Sequence, residues 1–130
     1  MSPRFATATV TELSQVALLA ELPGEVLTKL AKGMKRQDIA SGSSVVVEGE
    51  PGDHFYVVLR GLLAVSNKGA LGPRRVLRPG DYFGEVALTM DVPRTASVMA
   101  LTPTTVVSCD KATFDEYVRP LFADDSPPEG

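Results

Sequence analysis

The pattern that most limits how this chain can fold is a change of hydrophobic period near residue 38. Beyond that point, short runs rich in β-branched and aromatic residues alternate with Gly, Pro, Asn and Asp turns. These runs lie at residues 45–47, 55–59, 62–65, 74–77, 95–101 and 105–108. Many short strands at regular spacing indicate an antiparallel sandwich, jelly roll or barrel, not a parallel α/β sheet. We therefore predict a mainly β fold, an antiparallel jelly roll of about eight strands over residues 38–109.

Helical periodicity precedes these strands. Thr9 and Glu12 have the spacing of a capping box, and apolar residues recur at helical spacing from there to residue 34. Pro23 suits the first turn of a helix, where its missing amide needs no partner. We predict two short helices within residues 9–34, joined near Leu22 and Pro23, after a flexible N-terminus at residues 1–8.

A last helix is predicted after the strands. Asp110 can cap a helix over residues 110–119, and Pro120 is expected to end it. Residues 120–130 contain acids and prolines, so a disordered tail is expected there. Residues 9–119 then form one domain.

The overall composition narrows the classes of function. The chain has 130 residues, enough for one domain, and 44% of them are hydrophobic, as in globular proteins. Thirteen basic and sixteen acidic residues give a net charge of −3, which does not favour non-specific binding to nucleic acid. No apolar run approaches the roughly 20 residues that cross a bilayer, and no secretory leader is recognised. We expect a cytoplasmic protein without a membrane segment.

Cysteine and histidine usage limits the chemistry further. His54 is the only histidine and Cys109 the only cysteine. They cannot supply the multi-histidine ligand set of a cupin-type, metal-dependent jelly-roll enzyme. We interpret His54 as an exposed residue at a loop or strand edge, and Cys109 as a small core residue. No catalytic residue, metal site or cofactor is predicted, and we expect that the chain is not an enzyme.

The segment that carries the chemistry lies at residues 80–98. Gly84 follows a strand that ends at Phe83, and it lets the backbone approach a ligand closely. Residues 85–88 can form one helical turn, whose first amides lack internal partners and favour an anion. Arg94 is expected to begin the next strand, and its planar fork of donors suits two phosphate oxygens. Glu85, when ionised, only accepts hydrogen bonds, which suits a sugar hydroxyl.

This segment resembles the phosphate-binding cassette of cyclic-nucleotide-binding domains. Such domains occur in regulatory subunits of cyclic-AMP-dependent kinase, in nucleotide-gated channels and in catabolite-activator-type transcription factors. The likeness lies in Phe83-Gly84-Glu85-Val86-Ala87-Leu88 and in Pro93-Arg94-Thr95-Ala96. Upstream, the family's glycine-aspartate turn and two central strands are matched by Gly52-Asp53-His54-Phe55-Tyr56-Val57-Val58 and Gly61. The resemblance covers residues 12–118 and implies a regulatory sensor that binds a cyclic nucleotide without catalysis.

The resemblance also implies roles for individual residues. Arg94 is expected to pair with the exocyclic phosphate oxygens, and Glu85, with the Gly84 backbone, to take the ribose 2′-hydroxyl. Backbone amides around Ala87 and Leu88 are expected to bind the same phosphate, and strand residues are expected to make the apolar contacts to the base. The full set of expected ligand-binding residues is Phe83, Gly84, Glu85, Val86, Ala87, Leu88, Arg94, Thr95, Ala96, Val65 and Leu77.

Two features bear on the choice of base and on ligand attraction. Thr95 stands where cyclic-GMP-selective members of the family often carry threonine, yet some channels with threonine there take both nucleotides. Cyclic AMP is favoured, and cyclic GMP stays open. Arg74, Arg75 and Arg78 form a local basic group in which Arg74 and Arg78 share one strand face and Arg75 takes the other. A solvated face is favoured over attraction of an anionic ligand.

The chain departs from the family at its C-terminal end. In the family a C-terminal helix covers the base as a lid and passes the signal onward. The ten residues after Pro120 disfavour a long helix, although Leu121 or Phe122 could cover the base. The expected partners are a cyclic nucleotide and either a separate effector protein or a missing output domain. The alternative is a degenerate fold that serves as a protein-interaction module. The missing lid supports this alternative, whereas the presence of Glu85 and Arg94 argues against it.

Overall fold

Two antiparallel sheets form the body of the fold, which the computed structural model describes over residues 7–69, 71–72 and 74–123. The strands are β1 (Lys35–Ile39), β2 (Ser44–Val46), β3 (His54–Arg60), β4 (Leu63–Ser66), β5 (Arg75–Leu77), β6 (Tyr82–Phe83), β7 (Ser97–Ala100) and β8 (Thr104–Asp110). One sheet has the order β1-β8-β3-β6 and the other β2-β7-β4-β5. The prediction of a mainly β, antiparallel fold of about eight strands is confirmed.

Apolar side chains on both faces of the first sheet build two cores. Val58 and Val106 face the second sheet, and they pack there with its inward residues. Phe55 and Val107 point the other way, into a cluster formed with the helices. The central strands β3 and β8 are therefore buried on both faces, which explains their nearly continuous apolar sequences.

The structure corrects the N-terminal prediction in two respects. Three helices are present instead of two: α1 (Val10–Ser14), α2 (Ala17–Ala20) and α3 (Gly24–Lys32). Val16 breaks the first predicted helix because it is extended (φ −93°, ψ 118°) and buries its β-branched side chain in the core. The capping box of Thr9 and Glu12 is confirmed, and α3 begins directly after Pro23.

The β region begins earlier than residue 38. β1 starts at Lys35 and pairs with β8, and Thr7 forms an isolated bridge with Lys35. The Ala8 amide donates to the Met34 carbonyl at 2.9 Å, so residues 7 and 8 belong to the fold and not to a flexible terminus. The sequence of β1 is Lys-Arg-Gln-Asp-Ile, and the strand is mostly exposed. It therefore lacks the hydrophobic alternation from which a strand could have been predicted. Residues 1–6 lie outside the described part of the chain.

Pro120 does not end the last helix, contrary to the prediction. Asp110 caps α5 (Lys111–Thr113) as expected, but a π-helical turn (Phe114–Val118) and α6 (Arg119–Ala123) follow. In the π turn the Arg119 amide donates to the Phe114 carbonyl, five residues earlier. This wider turn relieves the clash that a proline ring makes with the carbonyl four residues before it. Residues 120–123 are therefore helical, and the rest of the predicted tail, 124–130, lies outside the described residues.

Cys109 is buried in the cluster between β8 and the helices, as the sequence indicates. Burial, together with the nearby Asp110 carboxylate, raises the pKa of this thiol to about 12. Only the thiolate reacts with alkylating reagents, so the native protein is expected to resist iodoacetamide at pH 8 and to react fully in denaturant. Mass spectrometry after timed alkylation checks this, and fast labelling of the native chain would contradict the placement of Cys109.

Among the described residues, no helix is long and apolar enough to cross a membrane.

Candidate functional site

Gly84 turns the chain from β6 into a short helix, α4 (Glu85–Met90). It adopts φ 96°, a left-handed conformation that glycine adopts without strain. A Cβ at this position would lie 2.7 Å from the His54 carbonyl oxygen and 2.9 Å from Nη1 of Arg94. The glycine therefore provides both the turn and the space in which the Arg94 side chain lies. The predicted helical turn after Gly84 is confirmed and is extended by two residues to Met90.

Arg94 lies in a loop and does not begin a strand, contrary to the prediction. β7 begins three residues later, at Ser97. The Arg94 amide donates to the Glu50 carbonyl at 2.8 Å, and its carbonyl accepts from the Gly49 amide at 2.9 Å. Both backbone groups of Arg94 are therefore hydrogen-bonded to the turn at residues 49–50 and are not available for pairing with a neighbouring strand. These bonds fix the backbone of Arg94 although it is not part of a sheet.

The Arg94 guanidinium is buried, with only 6% of the residue exposed. Nη1 donates to the Gly84 carbonyl at 3.2 Å and Nη2 to the His54 carbonyl at 2.9 Å. Its Cζ lies 5.7 Å from the centroid of the Tyr56 ring. Burial lowers the pKa of Arg94, but a guanidinium stays protonated in proteins. None of the ion pairs within the described ranges involves Arg94, so its charge is buried without a carboxylate partner.

Gly52 allows this arrangement from the opposite side. A Cβ there would lie 2.4 Å from the Ala87 Cβ and 2.9 Å from Cζ of Arg94. No side chain fits at that distance, so the turn at residues 51–53 packs directly against α4 and the guanidinium. The glycine-aspartate motif of the sequence thus has a local physical reason, which is close approach of the backbone.

A cavity lies beside Arg94, between α4, the inner face of the second sheet and β6. The space that protein atoms leave free there, counting the opening to solvent, is about 570 Å³. Ten of the eleven predicted ligand-binding residues line it: Val65, Leu77, Phe83, Gly84, Glu85, Val86, Ala87, Arg94, Thr95 and Ala96. The structure thus brings these residues together, and their contacts with a ligand remain predictions.

Leu88 is the predicted residue that does not line the cavity. Its side chain is buried in the cluster between the first sheet and the helices. Any role of Leu88 in the site is therefore limited to its backbone amide. Leu121 and Phe122 do not line the cavity either. Phe122 packs on the helical side, with its ring centroid 5.5 Å from that of Tyr82, so the idea that these residues cover the base receives no support from their placement.

Sequence reasoning missed five lining residues and the two backbone carbonyls, of Gly84 and His54, that accept from Arg94. The missed lining residues are Val46, Val98, Tyr82, Arg74 and Arg75. Alternation along β2 and β7 could have found Val46 and Val98, since they are inward positions of their strands. Arg74 and Arg75 were missed because the group of three arginines was interpreted as a solvated face. His54 was expected to be exposed, but it is half-buried at the start of β3, a strand inside the first sheet. Its carbonyl accepts from Arg94, and the type of side chain at a position does not reveal such a backbone role.

The polar groups at the cavity are hydrogen-bond donors and one carboxylate, that of Glu85, which is an arrangement suited to binding. Glu85 is half-buried, and its carboxylate takes part in no hydrogen bond or ion pair within the described ranges. Nowhere in that part of the chain do three or more His, Cys, Asp or Glu side chains form a group that could hold a metal ion.

Comparison with known proteins places this geometry in a family. Residues 36–120 match the cyclic nucleotide-binding domain family. The chain is 40% identical to the cAMP-dependent protein kinase regulatory subunit of Yarrowia lipolytica over 110 residues, which cover 85% of this chain and 29% of that protein. It is 35% identical to the corresponding subunit of Aspergillus niger over 109 residues, covering 84% of this chain and 26% of that one. The chain thus spans less than a third of the length of these relatives.

Solved structures of similar fold support the same family. The regulatory domain of Toxoplasma gondii PKA with cAMP is similar with a TM-score of 0.78 and 28% identity, covering 86% of this chain and 44% of that one. The regulatory subunit of a cAMP-independent protein kinase A from Trypanosoma brucei has a TM-score of 0.82 at 21% identity, which speaks for the fold alone; 86% of this chain and 41% of that one are covered. From the matched residues and the shared fold, we conclude that this chain belongs to the cyclic nucleotide-binding domain family.

Proposed function

We propose that this chain binds a cyclic nucleotide monophosphate and acts as a regulatory module without catalysis. The observation that carries the proposal is the buried guanidinium of Arg94, which lines the cavity and has no carboxylate partner among the described residues. A buried charge is costly unless it is paired, so this site favours an anionic ligand. Two of its five N–H donors are used by carbonyls, which leaves three for phosphate oxygens.

The groups next to Arg94 suit the rest of such a ligand. Glu85 lines the same cavity and can only accept hydrogen bonds, which fits a ribose hydroxyl. The apolar residues Val65 and Leu77 are buried at the wall formed by β4 and β5, where a purine base can bury its surface. One cavity therefore contains a carboxylate that suits a sugar hydroxyl, a guanidinium that suits a phosphate and an apolar wall that suits a base. These are the three parts of a cyclic nucleotide.

Cyclic AMP is the proposed ligand, with cyclic GMP as the second candidate. The relatives from Yarrowia lipolytica and Aspergillus niger are named as cAMP-dependent, and the similar structure from Toxoplasma gondii is described with cAMP. The same names support a protein kinase as the effector that this module regulates. Ligand binding can shift this module only by as much as its affinity differs between two conformations.

A protein-interaction module that has lost nucleotide binding is the second candidate function. It is favoured by one observation: neither Leu121 nor Phe122 lines the cavity, so no described residue after β7 covers its open side. An uncovered base keeps apolar surface in water, which weakens binding.

Calorimetric titration of nucleotide-free protein separates the two candidates. The proposal predicts saturable binding of cyclic AMP and cyclic GMP, and at least about tenfold weaker binding of linear 5′-AMP, whose extra charge and open geometry fit the site less well. The 2′-deoxy analogue of cyclic AMP should also bind more weakly, because Glu85 then loses its partner. A folded protein that gives no binding heat with either cyclic nucleotide would support the interaction module instead.

A further inference from the structure

We propose that Tyr56 is a positioning residue whose aromatic ring holds the Arg94 guanidinium in the orientation that a phosphate needs. This role rests on the proposed function, because Tyr56 acts on the ligand only through Arg94. Tyr56 lies in β3 and does not line the cavity, so its side chain needs no contact with a nucleotide.

Two groups pack against the Tyr56 ring. Cζ of Arg94 lies 5.7 Å from the centroid of this ring. The ring of Phe83 is stacked on it, with the centroids 4.8 Å apart and an angle of 5° between the planes. Tyr56 and Phe83 are also directly paired across β3 and β6, so the two strands fix the stack. Arg94 therefore packs against an aromatic pair that the first sheet holds in place.

The Tyr56 ring completes the set of contacts that confine the guanidinium. Nη1 and Nη2 of Arg94 already donate to the carbonyls of Gly84 and His54. At Gly52 a Cβ would lie 2.9 Å from both Cζ and Nε of Arg94, so the backbone there approaches closely. All five donors of a guanidinium lie in one plane, and any rotation of the group redirects them. A ring packed against the guanidinium limits this rotation and keeps the three remaining donors directed at one place.

The ring also stabilises the charge of Arg94. The face of an aromatic ring attracts a cation, and the attraction is stronger where both groups are shielded from water. Arg94 is buried and Tyr56 is half-buried. Burial raises the pKa of the Tyr56 phenol, and the positive charge of Arg94 opposes this shift, which agrees with their close approach. A guanidinium that is held before the ligand arrives loses little freedom on binding and so contributes more to affinity.

Two other roles of Tyr56 predict different results. If the ring only filled space, leucine, which is also apolar and bulky, would serve as well as phenylalanine. If the ring competed with the phosphate for the cation, its removal would strengthen the binding of the nucleotide. The order of the affinities of the leucine and phenylalanine variants therefore separates the three roles.

The experiment is calorimetric titration of the full chain with cyclic AMP, as wild type, Tyr56→Phe, Tyr56→Leu and Tyr117→Leu, each checked for folding by circular dichroism. Tyr56→Leu should raise the Kd about fivefold to thirtyfold, because it removes a shielded cation–π contact. Tyr56→Phe keeps the ring and should restore the Kd to within about twofold of wild type. Tyr117→Leu is the matched control, a half-buried tyrosine that packs with the helices away from the cavity, and it should leave the Kd unchanged.

Nuclear magnetic resonance provides a second readout that does not depend on the folding of Tyr56→Leu. The Nε–H signal of Arg94 can be assigned because it is absent from Arg94→Ala. Ring current from Tyr56 should move this proton to lower frequency than the Nε–H protons of exposed arginines, in wild type and in Tyr56→Phe alike. An unshifted signal in both proteins would contradict the placement of the guanidinium against the ring.

Failure of the role of Tyr56 can be told apart from failure of the proposed function. Wild-type protein that binds no cyclic nucleotide contradicts the proposed function itself. Where wild type binds, an unchanged or lower Kd of folded Tyr56→Leu overturns the role of Tyr56 alone. An equal loss of affinity in Tyr56→Phe and Tyr56→Leu also overturns it, since the ring is then not the part that matters.

Discussion

Replacing Arg94 by alanine is expected to weaken the binding of cyclic AMP by about a hundredfold to a few thousandfold. The guanidinium is buried at the cavity and has no carboxylate partner in the described part of the chain. It can therefore form charge-assisted bonds to two phosphate oxygens, each contributing about 1.5–3 kcal/mol. Alanine removes both bonds, whereas Arg94→Lys keeps a point charge and should lose less. Calorimetric titration of the three proteins measures the differences.

The fold should survive this substitution. The backbone of Arg94 remains paired with the turn at residues 49–50, and these bonds do not depend on the side chain. Circular dichroism and thermal unfolding of Arg94→Ala should therefore give a nearly normal folded protein, and Arg78→Ala should bind like wild type. A folded Arg94→Ala protein with an unchanged Kd would remove Arg94 from the site.

Phe55→Ala is expected to lower the free energy of unfolding by about 3–5 kcal/mol. Phe55 is fully buried in β3, and its ring centroid lies 5.2 Å from that of Phe114 and 5.8 Å from that of Tyr82. Truncation removes a large apolar surface and leaves a cavity where the sheet meets the C-terminal helix. For a domain of this size such a loss is a large part of the total stability. Urea unfolding followed by circular dichroism measures it.

Met90→Ala serves as the comparison for Phe55→Ala. Met90 is 66% exposed at the end of α4, so its truncation should change the free energy of unfolding by less than about 0.5 kcal/mol. Equal effects of the two substitutions would show that Phe55 is not part of the core that joins the sheet to the helices.

Much of the β region could be predicted from the sequence because its strands carry strong local signals. All six predicted runs overlap strands and agree with them to within two residues at each end. β1 was missed because it is a polar, largely exposed edge strand, which is fixed by pairing with β8 and not by its own pattern. Pro120 was misread because a π turn depends on packing around Phe114 and Val118, which no local pattern announces.

The cavity lining could be predicted where one continuous segment supplies it. Residues 83–87 and 94–96 are close in sequence, so their spacing alone indicated a shared site. Arg75 comes from an edge strand of the second sheet, and its place beside Val65 depends on strand register, which composition does not encode. The carbonyls of His54 and Gly84 that hold Arg94 are backbone groups, and every residue type has them.

A crystal structure of the chain grown with cyclic AMP tests the central claim most directly, namely that Arg94 holds the phosphate of a ligand in this cavity. The account predicts the exocyclic phosphate oxygens about 2.7–2.9 Å from the Arg94 guanidinium nitrogens, with the ribose 2′-hydroxyl at Glu85. A nucleotide bound elsewhere, or bound here with its phosphate away from Arg94, would contradict it.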